Sequence, residues 1–208
     1  MVHYKLTYFD ARGLGDVPRQ LFHLAGVEFE DHRLSVEEFK KLKPSFPFEQ
    51  VPVLYVDGFE IPQSSAIGRY LARKFGYAGK TSEEEALVDG AVDLFKDFIP
   101  IFRTFSTSLF FGKSTEEIEK GRSDVNTALG PYFAKIIKLL DKSKSGYLVG
   151  NSLTWADLQI VDNLTSLKIN GFFDGERKLD EKIGAFYEKV MNYPKLKEYF
   201  EKRPHSIL

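Results

Sequence analysis

Hydrophobic and polar positions change their spacing several times in the first 76 residues and then settle into one rhythm. Tyr4 to Tyr8 reads as a strand, and Asp16 to Ala25 reads as a helix because Val17, Leu21, Leu24 and Ala25 share a face. Gly26 stops that helix. A short strand is predicted near Phe29 to Arg33, a helical turn from Val36 to Leu42, and two further strands, Val53 to Val56 and Phe59 to Ile61. Asp57-Gly58 joins the last two, and Asp-Gly between apolar runs is a strong hairpin signal. Ile67, Tyr70, Leu71 and Phe75 return to helical spacing between Ser64 and Phe75, so the order is βαβαββα.

After Gly76 and Gly79 every periodic segment reads as helix. Ser82 with Glu85, Ser114 with Glu117 and Thr154 with Asp157 each pair a hydroxyl with a carboxylate three residues on, the pattern of a capping box. The first opens a long helix whose stripe is Leu87, Ala91, Leu94, Phe98, Phe102 and Phe105, with a bend or break expected at Pro100. Further helices are predicted over Arg122 to Leu140, Trp155 to Lys168, Lys178 to Met191 and Lys195 to Lys202. The division that follows is a small α/β domain over 1–78, a linker over 79–82 and an all-helical domain over 83–208.

Composition narrows the function classes. Lysine plus arginine (29) nearly equals aspartate plus glutamate (30), and no basic run tracks along either half, which argues against a nucleic-acid partner. No stretch of about 18 uncharged apolar residues is present, and the opening residues form a strand rather than an export signal, so a cytoplasmic protein without membrane partners is expected. The chain has no cysteine, which removes disulfides, thiolate nucleophiles and thiolate metal sites together. Any sulfur chemistry must use a borrowed thiol.

Three stretches, taken in order, resemble the cytosolic glutathione transferases, specifically the sigma class and its nematode relatives. They are Tyr4-Lys-Leu-Thr-Tyr-Phe-Asp-Ala-Arg-Gly13; Pro47-Phe-Glu-Gln-Val-Pro-Val-Leu-Tyr-Val-Asp-Gly58 followed by Gln63-Ser-Ser-Ala-Ile-Gly-Arg-Tyr-Leu-Ala72; and Asn151-Ser-Leu-Thr-Trp-Ala-Asp-Leu158. The resemblance implies a thioredoxin-like domain that binds glutathione and an all-α domain that adds the second-substrate pocket. It also implies a homodimer, with glutathione as co-substrate and no other cofactor or metal.

On this resemblance Tyr8 is the catalytic residue. A free thiol with a pKa of about 8.5 is only about 3% thiolate at pH 7, and a hydroxyl aimed at the sulfur favours the charged form. The family's glutathione contacts map onto Tyr8, Phe39, Lys43, Gln50, Val51, Gln63 and Ser64, with Asp97 reaching from the partner subunit toward the γ-glutamyl amine. Position 39 is often tryptophan in the family, so Phe39 lacks an indole donor. Proline in so apolar a run is unsuited to a central strand, and a cis bond before Pro52 would leave the Val51 backbone to face an extended ligand. Ser64 is read as the cap of the next helix, whose N-terminal donors attract a carboxylate. Phe9, Leu14, Phe102 and Phe105 are the candidates for an apolar electrophile pocket, although core packing competes for the phenylalanines. Leu14 replaces an arginine found in some relatives.

Three patterns are set aside. Gly13-Leu-Gly15 has Pro18 where a dinucleotide fingerprint needs its third glycine, and His3, His23, His32 and His205 have no ligand-like spacing. Asn163-Leu-Thr165 falls in a predicted helix. Thr154 to Asp157 is read as structural, with Leu153 and Leu158 as a hydrophobic staple. Two function classes remain: a transferase that conjugates glutathione to apolar electrophiles in detoxification, or isomerises prostaglandins, and a non-catalytic, ligand-binding or crystallin-like relative.

Overall fold

The computed structural model describes residues 2–174 and 178–204, so His205 lies outside the described residues. The chain divides into two compact units: Met1–Ala78 with Val190–Leu208, and Gly79–Lys189.

The first unit is a thioredoxin-like α/β domain. Its strands are β1 (Tyr4–Phe9), β2 (Glu30–Leu34), β3 (Val53–Val56) and β4 (Phe59–Pro62), in the spatial order β2-β1-β3-β4. β1 runs parallel to β2 and antiparallel to β3, and β3 and β4 form a hairpin. Asp57 (φ 49°) and Gly58 (φ 85°) both take positive φ at its turn, as a two-residue hairpin connection favours. Helices α1 (Asp16–Ala25) and α3 (Ser64–Phe75) supply the apolar cover, and α2 (Val36–Leu42) is held by a capping box between Ser35 and Glu38. Phe22, which the predicted stripe of α1 omits, is the hub of the core: it stacks on Phe29 at 4.3 Å and meets Tyr4 and Phe75 edge-on at 5.2 and 5.6 Å. Burying such a ring contributes about 1.5–3 kcal/mol.

The last helix, α8 (Pro194–Lys202), groups with this unit rather than with the helical one expected over 83–208. The reason is Asp16, a carboxylate only 2% exposed at the start of α1, which needs partners to be buried at all. The Tyr199 hydroxyl donates to it at 2.6 Å, Gln20 at 2.8 Å, and the Arg203 guanidinium pairs with it. Burial alone works to raise this carboxyl, but Arg203, the Tyr199 and Gln20 hydrogen bonds and nearby Arg12 hold it below its ordinary value.

The second unit is helical, with α4 (Ser82–Phe110), α5 (Thr115–Ser143), α6 (Trp155–Ile169) and most of α7 (Glu181–Met191). Thr81, not Ser82, caps α4, accepting from the Glu84 N–H at 3.2 Å. α4 passes Pro100 without breaking; the proline removes one N–H from the ladder, and buried Phe98 and Phe102 hold both sides of it. Its inward face is also turned by one position at the start: Val88, Val92 and Phe95 are buried, whereas Leu87 is 48% exposed. α5 begins at the Ser114–Glu117 capping box and so extends well beyond the predicted Arg122 to Leu140. α7 starts after Lys178 because the Asp180 carboxylate accepts the Lys182 and Ile183 N–H groups, as a cap does. α6 is buried on nearly every face, polar residues included. Among the described residues no helix is long and apolar enough to cross a membrane.

Candidate functional site

Strand register collects most of the expected residues at one end of the sheet. Thr7 pairs with Val53, and Val53 with Pro62, so Tyr8, Pro52 and Gln63 each lie one residue beyond those partners on three neighbouring strands. Strands are about 4.8 Å apart, which places β1, β3 and β4 within about 10 Å at this end.

Tyr8 is 8% exposed, and its hydroxyl accepts a hydrogen bond from the Leu14 N–H at 3.1 Å. The bond is accepted on a lone pair and therefore polarises the hydroxyl as a donor. The chain after β1 is held in place by Arg19 of α1, whose guanidinium donates to the Ala11 carbonyl at 2.6 Å and the Phe9 carbonyl at 3.3 Å while pairing with Asp31 at 3.0 Å. Its carbon lies 6.0 Å from the Tyr8 ring centroid, at the limit of a cation–π contact. Leu14 itself sits in a short helical turn, Gly13–Gly15, between β1 and α1.

On the next strand the Val51–Pro52 bond is cis. The Gln50 side chain before it accepts from the Gln63 amide at 3.0 Å, joining the β3 approach to the start of α3. Gln63, rather than Ser64, is the cap residue of α3, and it makes no side-chain cap bond; Ser64 is the first helical residue. Gln63 holds φ 73°, a conformation that costs a non-glycine residue about 1–3 kcal/mol and that tends to mark ligand sites. With no side-chain cap, the first turn of α3 keeps backbone donors suited to an anion.

The remaining first-unit candidates are more peripheral. Lys43 is half exposed and pairs with Glu49 at 3.6 Å. Phe39 packs edge-on against Phe9 at 4.9 Å and stacks on Phe46 at 6.2 Å, joining the cluster of Leu34, Phe46 and Val53 that Val51 also touches. Asp97, Phe102 and Phe105 belong to the helical unit. Asp97 is exposed on α4. Phe102 and Phe105 are interior to that unit, 5% and 0% exposed, packed on Phe172 and, for Phe105, under the Arg122 guanidinium at 5.0 Å.

The contributions of Arg19 and Asp16 are not legible in the sequence, because a charged residue on an amphipathic helix reads as solvated until its burial is known. Gly13-Leu-Gly15, set aside as a nucleotide fingerprint, has a different place, against the Tyr8 ring. The occurrence of these glycines directly after the strand that ends near Tyr8 is the available signal.

The chain matches the family models described as glutathione S-transferase, N-terminal domain, over residues 4–73, and glutathione S-transferase, C-terminal domain, over residues 101–203. It is 54% identical to Glutathione S-transferase 3 of Caenorhabditis elegans over 207 residues, 99% of each chain. Among solved structures it is similar to a Nu-class GST from Haemonchus contortus, with 44% identity, a TM-score of 0.80 and 100% of each chain covered. It is also similar to prostaglandin synthase D of Nilaparvata lugens, with 35% identity and a TM-score of 0.81 over 98% of this chain and 99% of that one.

Proposed function

Because the chain belongs to the glutathione S-transferase family and is a glutathione transferase, we propose that Tyr8 stabilises the thiolate of bound glutathione for attack on an apolar electrophile. The observation that carries this reading is the buried Tyr8 hydroxyl accepting the Leu14 N–H. A hydroxyl so polarised donates more strongly to a sulfur anion than to a neutral thiol, and so lowers the thiol pKa. The thiol proton passes to solvent, the sulfur electron pair forms the new S–C bond, and X leaves with the electrons of the C–X bond. Proton and leaving group together make HX.

Glutathione lies extended along the sheet end in this reading. The Val51 backbone pairs with its peptide portion, and the first turn of α3, with Gln63 and Ser64, takes the γ-glutamyl carboxylate. Gln50 and Gln63 exchange part of their mutual bond for the ligand. Lys43 faces the glycyl carboxylate, with Phe39 contributing shape and no donor. Phe9 and Leu14 carry the apolar electrophile side. The sigma-like assignment rests on the Tyr8 strand and its neighbours, one relative being named Nu-class. A detoxifying role in the cytoplasm is part of this reading.

A panel of aryl halides, alkenals, hydroperoxides and prostaglandin precursors tests the reading. Conjugation of the halide or alkenal, saturable in glutathione, is the expected result; turnover of none of them would overturn the proposed class of electrophile. Resemblance to a prostaglandin synthase keeps isomerisation in the panel, while Leu14 removes the cation that some relatives place near the thiolate.

The proposal includes a homodimer in which the partner supplies Asp97. Asp97→Ala is expected to weaken glutathione binding about ten- to a hundredfold, as loss of a charge-assisted hydrogen bond does, with the fold retained. Calorimetry reads the affinity and sedimentation the assembly. A fully active monomer at micromolar concentration would overturn this part.

A further inference from the structure

The two glycines after β1 have no part in a nucleotide fingerprint, yet both lie against the Tyr8 ring. A β-carbon built on Gly15 would stand 2.5 Å from Tyr8 Cδ1, 2.9 Å from Cγ and 3.1 Å from Cβ. One built on Gly13 would stand 2.7 Å from the Tyr8 hydroxyl oxygen. The reasons for glycine differ between them. Gly13 holds φ 38°, which by itself disfavours a side chain. Gly15 holds φ −91° and ψ −16°, open to any residue, so only the lack of space calls for glycine there.

The atoms facing Gly15 are the root of the ring, not its flexible end. Cδ1 and Cγ, the two under 3 Å, cannot move aside without turning Tyr8 about its first side-chain torsion or pushing back the Gly13–Gly15 turn, which carries the Leu14 N–H. That turn is fixed on both sides, by Arg19 on the Phe9 and Ala11 carbonyls and by Asp16 in its bonds to Gln20, Tyr199 and Arg203. The strain therefore falls on Tyr8.

We infer that Gly15 is a positioning residue for the transferase reaction: its missing side chain seats the Tyr8 ring close against the turn, so that the hydroxyl reaches both the Leu14 amide and the sulfur of glutathione. Gly13 does the same for the hydroxyl end. The inference rests on the role proposed for Tyr8, and misplacement of a catalytic group by about 1 Å costs up to about a hundredfold in rate.

The test compares four proteins: the parent, Gly15→Ala, Tyr8→Phe and the double variant. Gly15→Ala is expected to lower kcat at pH 7 at least about tenfold, leave glutathione affinity within about threefold, and move the ultraviolet titration of the bound thiolate to higher pH. In the Tyr8→Phe background the same change is expected to add no further loss, since no hydroxyl remains to misplace. An equal loss in both backgrounds, or an unchanged thiolate titration in Gly15→Ala, overturns the inference. A Tyr8→Phe variant as active as the parent overturns the Tyr8 role instead, so the two failures are distinct. If Gly15→Ala does not fold, Gly13→Ala serves: its clash is with the hydroxyl oxygen, so its loss of melting temperature should shrink in the Tyr8→Phe background. An undiminished loss there refutes the packing argument.

Discussion

Tyr8→Phe is expected to lower turnover at neutral pH by about one to two orders of magnitude while leaving the protein folded. The substitution removes one oxygen and keeps the ring, which meets Phe9 edge-on at 5.4 Å and fills the space beside Gly13 and Gly15. The fold loses one accepted bond, from Leu14, worth about 1 kcal/mol. Glutathione is expected to bind nearly as before, because the proposed contacts of Lys43, Gln50, Val51, Gln63 and Ser64 do not use that oxygen. The bound thiol is where the change appears. Its pKa should return toward the free value of about 8.5, and a two-unit shift represents about 2.7 kcal/mol of differential stabilisation of the thiolate. The rate falls by less than the thiolate fraction, since a more basic thiolate is the better nucleophile. The deficit should therefore shrink as pH rises toward 9. An unaltered thiolate titration together with parental rates would reduce Tyr8 to a packing residue.

Asp157→Ala is expected to act on stability alone. Asp157 is wholly buried at the start of α6, where its carboxylate accepts the Leu148 N–H at 2.8 Å, the Thr154 N–H at 2.7 Å and the Thr154 hydroxyl at 3.0 Å. Truncation leaves two buried backbone donors unpaired and removes the cap, at a net cost of about 2–3 kcal/mol at pH 7. For a chain of this size that corresponds to a fall of about 5–10 °C in Tm. Glutathione affinity of the folded variant should match the parent, and lost turnover at unchanged Tm would contradict the structural role.

The pH dependence of this effect has a definite sign. Burial pushes the Asp157 carboxyl from its ordinary 3.8 up to about 6, against the pull of its three hydrogen bonds and of Lys189. The native state thus holds the proton more tightly than the unfolded state does. Its stabilising contribution is present in full below about 4 and is lost as pH rises through about 6, a swing of about 3 kcal/mol. The gap in stability between parent and Asp157→Ala should accordingly widen from pH 7 to pH 5, as read by denaturant titration at each pH. A gap that narrows on acidification would mean that the hydrogen bonds outweigh burial and hold the carboxylate ionised.

What the amino-acid order determined by itself was everything that short-range chemistry dictates. Asp57-Gly58 specified a hairpin because those residues tolerate positive φ, and Gly26 closed α1 at φ 65° for the same reason. Ser114 with Glu117 and Thr154 with Asp157 marked helix starts because cap and carboxylate lie within one turn of each other. Tyr8, Val51-Pro52 and Gln63-Ser64 were recognisable as an ordered set, and strand register then brings them to one sheet end. At Thr81 the local signal was ambiguous, since Thr81 with Glu84 and Ser82 with Glu85 satisfy the same pattern and only the path of the chain into α4 chooses between them.

Tertiary structure alone decided the rest, because the contacts join residues far apart in the chain or depend on space rather than on residue type. Nothing near Asp16 announces that Tyr199, 183 residues later, donates to it, yet that bond helps to assign α8 to the first unit. Phe102 and Phe105 suit an apolar pocket and a packed core equally well by composition, and only burial in the helical unit separates the two. α6 shows no apolar stripe because it is enclosed on nearly all sides, so a periodicity that depends on one face being wet has nothing to report. Gly15 is the sharpest case: its backbone angles suit any residue, and the reason for glycine is a ring 2.5 Å away from an atom that does not exist.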